Sequence, residues 1–297
     1  MIPTSTDIHC APLSLAQNSS LAGTATVVET WFLLEYNGSW TAKATDDNHL
    51  PEAVQGWLKG LLEQVPHSRV QFIKHPTAPT VGGLAFYTAT GGKLYQQQVA
   101  QYADLLSLSW TELTAPAHVC EEQLYLVCTN GKRDWCCGKF GAAAFRHLDP
   151  LIRQHPAPIA EKAWMTTHLG GHRFAATLLF LPAGVSYGLV QPDELEPLLQ
   201  SHRRGELVLE RFRGRNAYPK PVQAAEALLY EKTGETRLDV FTFRQAQKQE
   251  PNTWQVQFYQ PGNGLLHTVN VTEQTTPEPV LVSCTPPKWD VETVYLT

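Results

Sequence analysis

Two short segments carry four side chains whose types and spacing are suited to binding a metal. The first segment runs from Cys128 to Cys137, and the second is His168-Leu-Gly-Gly-His172. Thiolate sulfur and imidazole nitrogen bind zinc and iron–sulfur clusters, whereas magnesium and calcium prefer oxygen ligands. The two glycines allow the backbone to curl so that both imidazole rings face one point. We therefore predict a metal site formed by these four residues.

The spacing of the two cysteines bears on the choice of metal. Structural zinc motifs usually pair cysteines two to four residues apart, whereas eight residues separate Cys128 from Cys137. A thiol pair on a wider loop is easier to reconcile with one iron of a [2Fe–2S] cluster, with the two histidines on the other iron. A closed zinc site with two cysteines and two histidines stays open as the alternative.

The segments on both sides of the candidate ligands show repeated strand and helix patterns. In the first third, strand-like runs lie at 29–36, 70–74, 84–88 and 93–99, with a helical pattern at 51–65 after the first of them. In the middle third, strand-like runs lie at 123–128, 163–167, 177–181 and 186–190, with helical patterns after Cys137 and at 193–202. This β-α-β-β-β-α order is that of a reduced thioredoxin-like fold.

These patterns predict an α/β (α+β) protein of three units. A thioredoxin-like ferredoxin domain at 119–204 is preceded by a similar, degenerate unit at 1–118 and followed by a small α+β unit at 205–297. The last unit contains a helix around 224–229 and a hairpin with its turn at 261–264. The parallel between the first two units suggests a duplication in which only the second copy kept ligands. An α/β arrangement is also a common solution for unrelated sequences, so both interpretations stay open.

The sequence around the ligands resembles the sucrase/ferredoxin-like family. The resemblance rests on the stretches Cys128–Gly141 and His168–Ala176, followed by Leu181-Pro-Ala-Gly and Tyr187-Gly. It extends weakly to Gly23-Thr-Ala25, Trp31 and Glu35 on one side and to Arg213-Gly214, Tyr218 and Gln223-Ala-Ala-Glu226 on the other. Members of this family resemble thioredoxin-like [2Fe–2S] ferredoxins, and the pattern His-x₃-His stands where all-cysteine ferredoxins have Cys-x₃-Cys.

The resemblance implies a specific assignment of the ligands. Cys128 and Cys137 would bind one iron of a [2Fe–2S] cluster, and His168 and His172 would bind the other. Cys137 is preferred over Cys136 because a glycine follows it four residues later, as in the family pattern. Cys136 is then a packed thiol, a substitute ligand or half of a vicinal disulfide.

Such a site favours electron transfer over catalysis. Replacing two thiolates by neutral imidazoles removes negative charge and raises the potential, from about −400 mV to between about −150 and +300 mV in Rieske centres. We expect a one-electron carrier or redox sensor whose partner is an unidentified redox protein or reductase. The alternatives are a structural zinc protein and a thiol–disulfide oxidoreductase, although the latter lacks a Cys-x-x-Cys motif. A sugar hydrolase would need two opposed carboxylates, and the sequence offers no such pair to nominate.

Composition excludes several other classes of function. A net charge of −5 gives no electrostatic footprint for nucleic acid. No signal peptide or membrane span is recognisable, and the six cysteines do not resemble a secreted disulfide framework. We therefore expect a cytoplasmic protein that binds neither nucleic acid nor membrane, and the sequence does not predict its oligomeric state.

The remaining cysteines and histidines are predicted not to be ligands. Cys10, Cys120 and Cys284 are interpreted as structural, although His9 and Cys10 are adjacent. The histidines in this group are His9, His49, His67, His75, His118, His147, His155, His202 and His267. Arg173, Trp135 and Lys139 flank the predicted ligands, where they would tune the cluster, meet a partner or simply pack at the surface.

Overall fold

The structure, a computed structural model, describes residues 9–76 and 83–296. It is a mixed α/β protein, which confirms the predicted class. Its helices within these ranges are α1 (Cys10–Ala16), α2 (Glu52–Gln64), α3 (Trp110–Leu113), α4 (Ala142–Gln154), α5 (Leu195–Arg203) and α6 (Lys220–Thr233). The first nine strands are β1 (Thr30–Glu35), β2 (Ser68–Lys74), β3 (Leu84–Thr90), β4 (Lys93–Val99), β5 (Gln123–Cys128), β6 (Glu161–Thr166), β7 (Leu178–Leu181), β8 (Val185–Tyr187) and β9 (Phe212–Arg215).

These nine strands form one sheet in the order β4-β3-β1-β2-β6-β5-β7-β8-β9. In the first half, β1 is parallel to β2 and antiparallel to β3. In the second half, β5 is likewise parallel to β6 and antiparallel to β7. The two halves therefore have the same strand order, with a helix linking the two parallel strands in each. The proposed unit boundaries and the duplication stay predictions.

The two halves meet at an antiparallel joint between β2 and β6. Ile73 pairs with Thr166 and Lys74 with Met165. Hydrogen bonds from Thr167 N and Thr166 Oγ1 to Phe72 O, at 3.0 and 3.1 Å, extend the joint. The joint brings the side chains of β2 next to the histidine loop that follows β6.

Strand β5 lies within the sheet and is covered on both faces. From Leu124 to Cys128 every residue is buried, because apolar side chains pack against both faces of the strand. Leu124, Leu126 and Cys128 belong to one apolar cluster, whereas Tyr125 and Val127 belong to another. The continuous apolar run in the sequence is the pattern expected of such a strand. It places Cys128 deep in the protein.

The carboxy-terminal strands are β10 (Thr242–Glu250), β11 (Thr253–Gln260), β12 (Leu265–Thr275), β13 (Val280–Cys284), β14 (Pro287–Asp290) and β15 (Thr293–Leu296). Strands β10, β11, β12 and β15 form a four-stranded sheet, and β13 pairs with β14 in a separate hairpin. Helix α6 contacts β9 on one side and β11 and β12 on the other. The hairpin contacts α1 and the turn at His172–Phe174, so both ends of the described chain lie beside the histidine loop.

No helix among the described residues is long and apolar enough to cross a membrane.

The buried His202 of α5 makes the stability of the fold dependent on pH. Its ring lies against Tyr125 and Phe180, and burial lowers the pKa of His202 to about 4 from the usual 6.5. Unfolding exposes the ring, so the unfolded chain takes up a proton as the pH falls below about 6.5, whereas the folded chain does not until about pH 4.

We expect the free energy of unfolding to decrease between pH 6.5 and 4, with up to about 3 kcal/mol arising from this group. His202→Phe is expected to reduce the decrease, and the exposed His155→Phe is the matched control. Thermal unfolding midpoints measured across this pH range provide the test. An identical pH dependence in both variants would contradict the assignment.

Candidate metal centre

The two predicted cysteine ligands lie side by side in the interior. Cys128 ends β5, and Cys137 begins a π-helix at Cys137–Gly141 that continues into α4. Cys128 is 1% exposed and Cys137 is 0% exposed. Their sulfur atoms and Nδ1 of His168 all lie within 4.8 Å of one another.

Glycines allow the cysteine segment to fold back on itself. A Cβ atom at Gly141 would lie 1.8 Å from the carbonyl oxygen of Cys128, so the π-helix packs directly against the end of β5. A Cβ at Gly138 would lie 2.7 Å from the Cα of Gly131. Because of these two close backbone contacts, the segment that carries Cys137 lies against the end of β5, where Cys128 is located.

The histidine loop is built on two residues in the left-handed region. Gly170 has a φ of +97° and Gly171 a φ of +70°, values that glycine adopts at little cost. The loop brings the rings of His168 and His172 to a centroid distance of 5.0 Å with 31° between their planes. The sequence predicts that this glycine pair allows both rings to face one region, and in the structure the two rings lie beside each other.

Side chains from outside the loop bind its carbonyl groups. Three consecutive carbonyls accept hydrogen bonds: His168 O from Arg69 at 2.6 Å and Gln71 at 3.2 Å, Leu169 O from Thr26 at 2.7 Å, and Gly170 O from Arg213 at 3.1 Å. Arg69 and Gln71 lie on β2, across the joint between the halves. The first half of the protein therefore positions a loop that belongs to the second.

The imidazole of His168 lies at equal distances from the two thiols. Its Nδ1 is 3.8 Å from the sulfur of Cys128 and 3.8 Å from that of Cys137. Among the described residues, Nδ1 of His172 is buried without a hydrogen-bond partner. A buried polar atom without a partner costs free energy, so this nitrogen is suited to a ligand.

The pKa values of Cys128 and His172 are shifted toward their metal-binding forms, whereas the hydrogen bond to Cys128 and burial raise the pKa of Cys137. The thiol of Cys137 donates to Cys128 and, together with His168, holds the pKa of Cys128 well below its usual value. Burial lowers the pKa of His172, which keeps its imidazole neutral near pH 7. A thiolate and a neutral imidazole are the forms that bind metals.

The histidine side of the site is closer to solvent than the cysteine side. His168 and His172 are half-buried. A surface cleft of about 270 Å³ opens beside His168, and Arg69, Arg133 and Asn130 are among its lining residues. The imidazoles therefore form the accessible edge of the donor set.

A comparison with known families matches this region. The sequence profile of the family described as sucrase/ferredoxin-like matches residues 21–214, which include all four predicted ligands and span more than half of the chain. The chain belongs to the sucrase/ferredoxin-like family.

Individual relatives of this sucrase/ferredoxin-like protein match it in part. Altered inheritance of mitochondria protein 32 from Meyerozyma guilliermondii is 29% identical over 97 residues, which are 31% of this chain and 34% of the relative. The chain therefore spans about a third of the length of that relative. A solved thioredoxin-like [2Fe–2S] ferredoxin from Aquifex aeolicus is 19% identical with a TM-score of 0.29, over 34% of this chain and 97% of that one.

In this sucrase/ferredoxin-like chain, Cys136 faces away from the predicted ligands. Its sulfur lies 3.4 Å from that of Cys10 and 3.6 Å from that of Cys284. Sequence patterns predict Cys10 and Cys284 to be structural, and no local pattern links either of them to Cys136. Cys120 lies in neither group within the described ranges.

The three flanking residues singled out in the sequence have different surroundings. Arg173 is buried, donates to Ser14 at 3.1 Å and forms an ion pair with Glu292. Lys139 lies 4.6 Å from the ring centre of Trp135, which is 36% exposed. Arg173 thus ties the histidine loop to both ends of the described chain, whereas the other two lie at the surface.

Sequence reasoning did not find Arg69 and Gln71 as residues that hold the histidine loop. They are distant in sequence from the ligands, and only the β2–β6 joint places them there. The weak family pattern at Arg213-Gly214 was the one available signal for Arg213.

The close packing of Gly141 can be tested with a matched pair of helical glycines. Gly141→Ala is expected to lower stability by at least about 2 kcal/mol, because the added methyl group overlaps the Cys128 carbonyl. A Cβ at Gly60 in α2 would meet nothing within 4 Å, so Gly60→Ala is expected to stabilise by about 0.5–1 kcal/mol. Thermal unfolding midpoints distinguish the two. Equal shifts would show that the backbone contact at Gly141 is not tight.

Proposed function

We propose that this protein binds a [2Fe–2S] cluster through Cys128, Cys137, His168 and His172 and acts as a one-electron carrier or redox sensor. The observation that carries the proposal is the donor set, in which Nδ1 of His168 lies 3.8 Å from both buried thiols and the His168 ring lies beside that of His172. Two thiols lie together on one buried segment, and two imidazoles lie together on a second loop. Two-iron centres with two cysteines on one iron and two histidines on the other use this arrangement.

The residues present fit such a group. Two thiols and two imidazoles match the number and type of ligands that a [2Fe–2S] unit with mixed ligands needs. Ligand atoms of Cys128, Cys137 and His168 lie within 4.8 Å of one another, and the ring of His172 lies beside that of His168, outside this group. The buried Nδ1 of His172 has no other partner in the described part of the chain. A cluster bound there would supply one-electron chemistry.

The surrounding residues have separate roles in this proposal. Arg69 and Gln71 hold the His168 carbonyl, so the loop keeps its position when the charge of the site changes. The half-buried imidazoles offer the shortest route to the surface. An unidentified redox protein or reductase is the proposed partner, and the cleft beside His168 with Arg69 and Arg133 is the proposed contact.

One observation favours a second candidate, a mononuclear zinc site. Around a tetrahedral zinc ion, sulfur and nitrogen ligands lie about 3.6 Å apart, as follows from bond lengths of about 2.3 and 2.0–2.1 Å. The two 3.8 Å distances from His168 Nδ1 to the thiols are close to this value. A zinc site would be structural and without redox activity.

The two candidates differ in colour and in metal content. Protein purified without oxygen is expected to absorb visible light and to contain about two iron and two sulfide per chain at this site. Absorption spectra with iron and sulfide analysis provide the measurement, and Cys128→Ser is expected to lose both. A colourless protein whose zinc content falls by one in Cys128→Ser would establish the zinc candidate instead.

The histidine ligands can be tested by exchanging them for thiols. His168→Cys and His172→Cys are each expected to retain a cluster and to lower its potential by on the order of 100 mV, because a thiolate adds negative charge. The exposed His147→Cys on α4 is the matched control and is expected to leave the potential unchanged. Potentiometric titration followed by absorption measures the effect. Potentials unaltered in all three variants would exclude these histidines as ligands.

A further inference from the structure

A second group of sulfur atoms lies beside the first. Cys10, Cys136 and Cys284 come from helix α1, the ligand-bearing segment and the β13–β14 hairpin. The Cys136 sulfur is 3.4 Å from that of Cys10 and 3.6 Å from that of Cys284, and the backbone N–H of Cys10 donates to the Cys284 sulfur at 2.9 Å. Three thiols more than a hundred residues apart in sequence therefore converge on one point.

The distances between these sulfur atoms suit a shared metal ion better than a disulfide. A disulfide bond is about 2.05 Å long, and all three cysteines are free. Two sulfur ligands of a tetrahedral zinc ion lie about 3.8 Å apart, as follows from zinc–sulfur bonds of about 2.3 Å. The observed 3.4 and 3.6 Å are close to that separation.

His9 directly precedes Cys10 and lies at the edge of the group. Its ring is stacked on Trp135 with centroids 3.6 Å apart and 13° between the planes. Interactions with Cys10 and Cys136, and a smaller one with His9, lower the pKa of the Cys284 thiol. The stacking fixes the orientation of the imidazole beside the thiols. The adjacent His9-Cys10 pair in the sequence thus supplies two donors from one end of α1.

Asp134 lies among the thiols, with one carboxylate oxygen within 4.8 Å of all three sulfur atoms, and it hydrogen-bonds the backbones of two of the cysteines. One carboxylate oxygen accepts from the backbone N–H of Cys136 at 2.9 Å. The other accepts from the N–H of Cys284 at 2.8 Å and from Ser283 at 3.2 Å. Asp134 is 0% exposed, so this buried carboxylate holds two of the cysteine backbones in place. Groups that surround a metal site usually hold its ligands in position in this way.

We propose that Cys10, Cys136 and Cys284, with His9 as the fourth ligand, form a structural zinc site. Three thiolates and an imidazole are a common closed donor set for zinc, with no position left for substrate. On binding, Zn²⁺ replaces the thiol protons, which pass to solvent, and no electron is transferred. The site would join α1, the ligand-bearing segment and the hairpin into one unit over the histidine loop.

This proposal does not depend on the cluster at the first site. The two sites have different donors. The adjacent residues Cys136 and Cys137 belong to different groups, Cys136 to the second and Cys137 to the first. Loss of metal at one site can therefore be measured separately from the other.

X-ray absorption at the zinc K-edge of the unaltered full chain provides the direct test. We expect about one zinc per chain with three sulfur neighbours at about 2.3 Å and one nitrogen at about 2.0–2.1 Å. A protein without zinc after expression in zinc-supplemented medium would overturn the proposal. A shell of oxygen and nitrogen atoms alone would overturn it as well.

Cysteine variants assign the zinc to this group. Cys10→Ser and Cys284→Ser are each expected to lose most of the zinc, from about one per chain to a small fraction, and to keep the iron and visible absorption of the first site. Cys120→Ser is the matched control and is expected to keep both metals. Cys128→Ser is expected to lose iron and keep zinc.

The opposite distribution of zinc among these variants would refute the proposal. Zinc that is retained in Cys10→Ser and Cys284→Ser but lost in Cys128→Ser would place the metal at the first site and refute the second. Alkylation of the denatured, unreduced chain followed by mass spectrometry detects a disulfide. A disulfide between any two of these three cysteines, in protein that lacks zinc, would also refute the proposal.

Discussion

The antiparallel joint between β2 and β6 is the interaction on which the candidate metal centre depends. It joins two halves that have the same strand order into one sheet. The donors that hold the His168 carbonyl, Arg69 and Gln71, lie on the far side of this joint. Without the joint, the carbonyl of His168 would lack both of the side chains that donate to it. None of the four predicted cluster ligands lies in the first half, yet its strand β2 holds the loop that carries two of them.

The second constraint is the burial of a positively charged side chain, Arg213, beside the site. Arg213 is 2% exposed, and burial lowers its pKa to about 10, while the nearby Cys128 and Cys137 act in the opposite direction. Its guanidinium donates to the hydroxyl and carbonyl of Thr24 and to Gly170 O, and the nearby sulfur of Cys128 favours its charged form. A cation in this position compensates for negative charge on sulfur in a region that water does not reach. Arg213 thus hydrogen-bonds the histidine loop and also interacts favourably with negative charge on the nearby cysteines.

The sequence predicted those parts of the structure that depend on local patterns. The buried run Gln123–Cys128, the helix before Pro156 and the hairpin around Pro261 each follow from periodicity or turn residues, and each is present. Residue type and spacing also predicted that the cysteine segment and the histidine segment lie together, and ligand atoms of Cys128, Cys137 and His168 do lie within 4.8 Å of one another, whereas His172 is outside this group. The contacts of Cys136 with Cys10 and Cys284 were not, because they join segments more than a hundred residues apart and no local pattern encodes them. The same holds for Arg69, whose role depends on strand pairing between the halves.

Cys136 and Cys137 show how closely chain length and chemistry are linked in this protein. Cys136 already has helical backbone angles, with φ −61° and ψ −41°. Consecutive residues of a helix point about 100° apart, so this single step separates the thiol of one donor group from the thiol of the other. Inserting one residue between Cys136 and Cys137 would therefore turn one of the two sulfur atoms about 100° away from its partners. The direct adjacency of the two cysteines is thus as important as their identity.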